Sequence, residues 1–196
     1  MASLVHYMSF AGPDEGLEIA AGLRRRDPDL LDRLIEQYQH RLLRYLISLA
    51  ADRALAEDLF QATWLRVLEQ GHRYDGRGRF VAWLLTVARN LAIDALRARR
   101  SLSLDALTSG AEDKAPLQLE SREPDPCELL SSREQEERLA VFLSGLPAHY
   151  RETLVLRFYE DLSLQEIAVI TKVPAATVKT RLARGLKALA PRLEAY

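Results

Sequence analysis

The stretch Leu162-Ser-Leu-Gln-Glu-Ile-Ala-Val-Ile-Thr-Lys-Val-Pro-Ala-Ala-Thr-Val-Lys-Thr-Arg-Leu-Ala-Arg-Gly-Leu-Lys-Ala-Leu189 decides how this chain is read. Ser163 and Glu166 have the S-x-x-E spacing of a capping box, in which each side chain satisfies an orphan backbone N–H at a helix start. Ile167 and Ile170 supply an apolar face, and Ala168 is small enough to let a second helix approach. Pro174 ends the first helix and suits the opening of the next. In that second helix Val178, Leu182 and Leu186 recur at four-residue spacing and are expected to pack on the first. Lys179, Thr180, Arg181, Ala183, Arg184 and Lys187 fall on other faces. Between Ser163 and Arg192 there are six Lys/Arg against a single acid, Glu166. Two short helices, a tight turn and a one-sided cationic surface form the pattern with which a helix-turn-helix enters a DNA major groove. A plain amphipathic hairpin with a solvated basic face would need all these features to coincide.

Working outward, the rest of the chain separates by charge. Net charge is only −1 over 196 residues. Residues 24–103 nevertheless carry 15 Lys/Arg against 10 acids, residues 104–138 carry 4 against 10, and residues 139–196 carry 8 against 5. Two basic blocks flanking an acidic strip suit a polyanionic partner better than the total suggests. The strip contains Ser109-Gly110, Pro116, Pro124 and Pro126 without sustained helical period, and reads as a flexible linker. The predicted organisation is an N-terminal extension (1–23), a helical domain (24–103), a linker (104–127) and a second helical domain (128–196). The fold class is all-α, two small helical domains joined by an acidic flexible linker.

Three helices are expected in the first domain. Residues 29–49 place Leu30, Leu34, Tyr38, Leu42, Tyr45 and Leu49 on one stripe. Residues 52–69 turn Leu55, Leu59, Trp64, Val67 and Leu68 inward, and residues 80–100 turn in Phe80, Trp83, Leu84, Val87, Leu91 and Leu96. Between the last two lies Gly71-His-Arg-Tyr-Asp-Gly-Arg-Gly-Arg79, a glycine-rich cationic loop. Seven arginines stand between Gly71 and Arg100, against Asp75 and Asp94. The second domain is expected to hold helices over 128–144 and 147–159, broken at Leu146-Pro147, ahead of the helix-turn-helix.

Several function classes are set aside. His6, His40, His72 and His149 lack the spacing of a zinc site. Gly76-Arg-Gly78 lacks the strand and lysine of a phosphate loop. No nucleophile–base set or paired carboxylates stand on a recognisable scaffold, so no catalysis, cofactor or metal is expected. No apolar run reaches bilayer length, no secretion signal is evident, and the single Cys127 excludes an intrachain disulfide, which makes the cytoplasm the expected compartment.

The ordered set of segments resembles the extracytoplasmic-function (ECF) sigma factors of the sigma-70 family. In the N-terminal half the likeness rests on Ala56-Glu-Asp-Leu-Phe-Gln61, Trp64-Leu-Arg-Val67 and Phe80-Val-Ala-Trp-Leu-Leu-Thr-Val-Ala-Arg-Asn-Leu-Ala-Ile-Asp94. In the C-terminal half it rests on Leu146-Pro-Ala-His-Tyr-Arg151, Leu156-Arg-Phe158, Leu164-Gln-Glu-Ile-Ala168 and Thr177-Val-Lys-Thr-Arg-Leu182. The resemblance implies a sigma2-like domain and a sigma4-like domain, core RNA polymerase and promoter DNA (duplex and single-stranded) as partners, and commonly an anti-sigma factor. It implies that Asp58, Leu59, Gln61 and Trp64 meet the clamp of the largest polymerase subunit, and that sigma4 docks on the flap of the second-largest. Tyr74, Arg77, Arg79, Trp83, Arg89, Asn90 and Arg97 would serve the minus-10 element, where a base leaving the stack needs an aromatic face and edge hydrogen bonds. Thr177, Lys179, Thr180, Arg181, Ala183 and Arg184 would serve the minus-35 element, Arg and Lys suiting guanine edges or phosphates. By spacing alone, Trp83 fits a core as well as a base platform, and Trp64 fits a core better than an interface. The usual turn glycine is Lys172 here, which puts a Cβ in a left-handed position.

Overall fold

In the computed structural model, residues 13–50, 52–106, 143 and 145–194 are described. Helix α1 (Pro13–Arg25) leads into α2 (Pro28–Ala50), α3 (Arg53–Gln70), a 3-10 turn (Gly71–Arg73) and α4 (Phe80–Ala106). The C-terminal unit holds α5 (Ala148–Leu154), which runs into a π-helical turn (Val155–Tyr159), then α6 (Leu164–Thr171) and α7 (Ala175–Glu194). The helix expected over 128–144, save Leu143, the acidic linker beyond Ala106 and Cys127 lie outside the described residues. No described helix is long and apolar enough to cross a membrane.

Local chemistry sets the helix ends. Arg26 takes a left-handed conformation (φ 55°) after α1, and the N–H groups of Arg26 and Asp27 close onto the carbonyls of Leu23 and Gly22, a Schellman stop. Asp27 Oδ1 then accepts from Asp29 N and Leu30 N, and Pro28 occupies the first helical position of α2, where its missing N–H costs nothing. Asp52 caps α3 by accepting from Leu55 N, and Arg99 from α4 donates to its second oxygen at 2.7 Å. That hydrogen bond, ahead of the backbone donor from Leu55, holds the Asp52 carboxyl below its ordinary range.

The stripe expected on α2 is buried throughout, from Leu30 to Leu49. On α3, Leu55, Leu59, Trp64 and Val67 are buried, but Leu68 is 41% exposed, against expectation. The seam that α4 presents to its neighbours is Phe80, Val81, Leu84, Leu85, Ala88 and Ala92, with Trp83, Val87, Leu91 and Leu96 only half-buried. A helix 27 residues long drifts around its axis at 3.6 residues per turn, so its central line runs through the small alanines.

Helix α1 was not expected, since residues 1–23 were read only as an extension. It packs on the 3-10 turn and the following loop through Ile19, Ala20 and Leu23. Gly16 meets Gly76 backbone to backbone. A Cβ on Gly16 would stand 2.6 Å from the Gly76 carbonyl oxygen, and Gly76 itself has φ +80°.

The two units touch. Helix α4 packs along α6, and α2 packs against α5 and the π turn. Leu154, Leu156, Leu162, Ile167, Ile170, Val178 and Leu189 make up the core of the C-terminal unit.

Candidate nucleic-acid and polymerase interface

The helix-turn-helix is built as its residues predict. Ser163 Oγ accepts from Glu166 N at 3.2 Å while Glu166 Oε2 accepts from Ser163 N at 2.8 Å. Lys172 sits in the left-handed turn position (φ 56°, ψ 40°), and its N–H and that of Val173 both reach the Ala168 carbonyl. Ile167, Ile170 and Val178 are fully buried between α6 and α7. One expectation is corrected: Leu186 is 46% exposed, and the inward line of α7 is Val178, Leu182, Gly185 and Leu189. Four-residue steps overshoot the helical repeat, so a three-residue step to Gly185 restores it. Gly185 admits α5 closely, since a Cβ there would stand 3.1 Å from Leu154 Cδ1.

That packing turns Lys179, Thr180, Ala183, Arg184 and Lys187 to solvent, with Thr177 and Arg181 half-buried beside them. Thr180 Oγ1 donates back to the Ala176 carbonyl, which leaves its lone pairs outward. The exposed surface of α7 is therefore cationic, with a threonine and an alanine gap between the charges. It can place guanidinium and ammonium groups against phosphates and guanine edges.

In the N-terminal unit the expected residues divide. Tyr74 is buried to 3% exposure, and its hydroxyl donates to the Gly78 carbonyl. Its ring lies 5.4 Å from Phe80 and 5.6 Å from Trp83. Burial, followed by nearby Tyr38, Asp75 and Glu15, pushes its phenol up to about 12. Tyr74 thus pins the loop from beneath and is not an open platform in this arrangement. Trp83 is half-buried against Tyr74 and Phe80, with its remaining face outward. Arg77, Arg79 and Arg97 are exposed. Arg77 leans on Asp75, and Arg79 Nη1 donates to the Asp161 carbonyl at 2.8 Å.

Arg89 and Asn90 face the C-terminal unit. Arg89 Nε donates to Glu152 Oε1 at 2.6 Å, where Tyr45 also donates its hydroxyl at 3.1 Å. Burial works against the Arg89 charge, but the Glu152 hydrogen bond and its charge more than offset this and hold the guanidinium pKa above its ordinary value. Burial first, then Glu152, drives the Tyr45 phenol well up. Asn90 Oδ1 accepts from Lys172 Nζ at 2.8 Å. Arg41 Nε donates to Glu160 Oε2 at 2.7 Å, and Arg151 Nε to the Ser48 carbonyl at 2.6 Å. Arg44 stands over the Tyr159 ring at 5.1 Å. Sequence reading missed Arg41, Glu152 and Glu160. Arg41 and Arg44 at a three-residue step beside an apolar stripe were a usable signal, whereas no local pattern marks either glutamate.

On α3 the four expected clamp residues divide by exposure. Asp58 and Gln61 are exposed, but Leu59 (5%) and Trp64 (6%) belong to the core, with Phe60 edge-on to Trp64 at 6.4 Å. Leu65 (61%) and Leu68 (41%) stand outward instead. Asp58, Gln61, Leu65 and Leu68 step by three, four and three residues, which is one face of a helix and the seam that a coiled coil accepts. That spacing was present in the sequence. On the π turn Phe158 is 60% exposed, since the wider winding swings it off the core side to which a regular helix would assign it.

Comparison with known proteins agrees with this arrangement. Residues 34–102 match the model for Sigma-70 region 2, and residues 136–189 match Sigma-70, region 4. The ECF RNA polymerase sigma factor SigX of Bacillus subtilis (strain 168) is 30% identical over 161 residues, covering 82% of each chain. CarQ, an RNA polymerase sigma factor of Myxococcus xanthus, is 33% identical over 82% of this chain and 87% of its own. In fold, the chain resembles the sigma factor RpoE solved with the anti-sigma factor NepR from Bartonella quintana. The TM-score is 0.67 at 23% identity, over 83% of this chain and 96% of that one. With regions 2 and 4 in order and relatives at this identity along most of its length, the chain belongs to the ECF RNA polymerase sigma factors of the sigma-70 family.

Proposed function

We propose that this sigma factor seats on core RNA polymerase and reads promoters at two points, minus-10 with the N-terminal unit and minus-35 with α7. The observation that carries the reading is the exposed face of α7, where Lys179, Thr180, Arg184 and Lys187 stand outward on a helix packed against α6, whose own start is closed by an intact capping box. Arg77, Arg79, Arg97 and the open face of Trp83 support the minus-10 part, because a melted strand needs cations for phosphates and a ring for a base. Asp58, Gln61, Leu65 and Leu68 supply the polymerase clamp contact, and the exposed Phe158 offers an apolar contact for the flap. Strand opening follows from capture of the unstacked bases.

The chain acts as a non-catalytic specificity subunit, in the cytoplasm with its polymerase. An anti-sigma factor is an expected partner, by likeness to the RpoE structure solved with the anti-sigma factor NepR. Transcription with purified core polymerase on a random promoter library tests the reading. The expected result is start-site selection by a two-part motif that depends on this chain. Unchanged start-site choice, or failure to co-migrate with the sigma-free enzyme, refutes it.

A further inference from the structure

Among the described residues, Arg41, Arg79, Arg89 and Arg151 each donate a hydrogen bond between the two units, and two of these bonds place a buried carboxylate from the C-terminal unit on a guanidinium of the N-terminal unit. Glu152 (4% exposed) lies on Arg89, and Glu160 (fully buried) on Arg41. Arg41 comes from α2 and Arg89 from α4, and Glu160 Oε2 and Glu152 Oε1 accept at 2.7 and 2.6 Å. Each carboxylate presents to its arginine what a phosphodiester would, an anionic oxygen at hydrogen-bond distance. Around the pair, Lys172 takes the carboxamide oxygen of Asn90 and Asp161 takes Arg79 through its carbonyl.

We propose that the Arg41–Arg89 face is a binding site for the backbone phosphates of single-stranded promoter DNA, and that Glu152 and Glu160 cover it in the free chain. The proposal rests on the promoter-reading function above and adds to it a residue, Arg41, and a closed state. DNA and the C-terminal unit compete for the same guanidinium groups, so the free chain binds a single strand poorly until the units part. The cover is openable because it is imperfect. The two carboxylates are taken out of water while Arg41 and Arg89 stay partly exposed, and Glu160 Oε1 has no hydrogen-bond partner among the described residues. On parting, all four charged groups regain hydration.

The test uses the full-length chain, with Glu152→Gln, Glu160→Gln and the double variant. Glutamine keeps the shape and the acceptor oxygen but removes the charge. Binding of a fluorescein-labelled single-stranded deoxyoligonucleotide is followed by anisotropy, and overall dimensions by small-angle scattering. The double variant is expected to expand and to bind about tenfold more tightly, as when a competent state rises from about a tenth of the population to most of it. Adding Arg41→Ala to the double variant should remove much of the gain and lower the salt slope of binding by about one. Affinity unchanged in an expanded chain, or a gain that survives Arg41→Ala, overturns the proposal. A double variant that neither expands nor binds more tightly overturns it as well. Wild-type chain that programs core polymerase while the variants show no gain sinks the cover alone. Wild-type chain that leaves polymerase unchanged sinks the promoter reading itself.

Discussion

Tyr74 shows how a single buried residue can hold an exposed cationic loop in shape from beneath. Its hydroxyl is committed to the Gly78 carbonyl and its ring to Phe80 and Trp83. Tyr74→Phe should cost about 1 kcal/mol of stability, the usual net worth of one such hydrogen bond, measured by urea unfolding. The same burial gives a pH signature. Because the folded phenol is held up at about 12, above its ordinary 10.0, its contribution is complete below pH 10 and is lost as pH rises toward 12. In Tyr74→Phe the fall in stability across that window should be shallower than in the wild type. Lys172 makes the opposite point, since a Cβ is tolerated at φ 56° where glycine would be free. Lys172→Gly should raise the thermal midpoint, with a gain of about 0.5–1 kcal/mol from relief of the left-handed conformation.

At the scale of elements, α3 and α7 each present one face to the core and one to solvent, and substitutions should sort accordingly. Trp64→Ala empties a buried site and should destabilise the chain by about 3–5 kcal/mol. Leu65→Glu, one residue on, should leave thermal stability nearly unchanged yet weaken binding to core polymerase, as read by co-migration. On α7, Arg184→Ala should weaken promoter use by about 1–3 kcal/mol if it reads a base edge, with the loss confined to the minus-35 half in reconstituted transcription. Much of this was legible in the sequence. The capping box, Pro174 and the cationic residues of α7 were readable because they depend on neighbours within a turn or two. Leu59 and Trp64 are buried as their spacing predicts, whereas Leu68 and Leu186 stand outward, because apolar character marks a residue for burial without saying whether the partner belongs to the same chain. Helix α1 was missed because its buried apolar positions Ile19, Ala20 and Leu23 are few, and its packing depends on a turn and loop distant in sequence, where Leu23 meets Gly71 and Gly16 meets Gly76.

Over the whole molecule, the helices were readable from local pattern and the association of the two units was not. Glu152 and Glu160 look like ordinary surface acids in the sequence, and only the fold carries them to Arg89 and Arg41. Contacts across more than 60 residues leave no periodic trace. Helix α1 bears on practical handling. The region 2 match begins at residue 34, so a fragment trimmed to that boundary would keep every motif residue and lose the helix whose Gly16 abuts Gly76. The expected outcome is a soluble fragment nicked by protease between residues 71 and 79 far faster than the intact chain. An amino-terminal truncation that looks harmless on an alignment would in that way blunt promoter melting while sparing attachment to the polymerase.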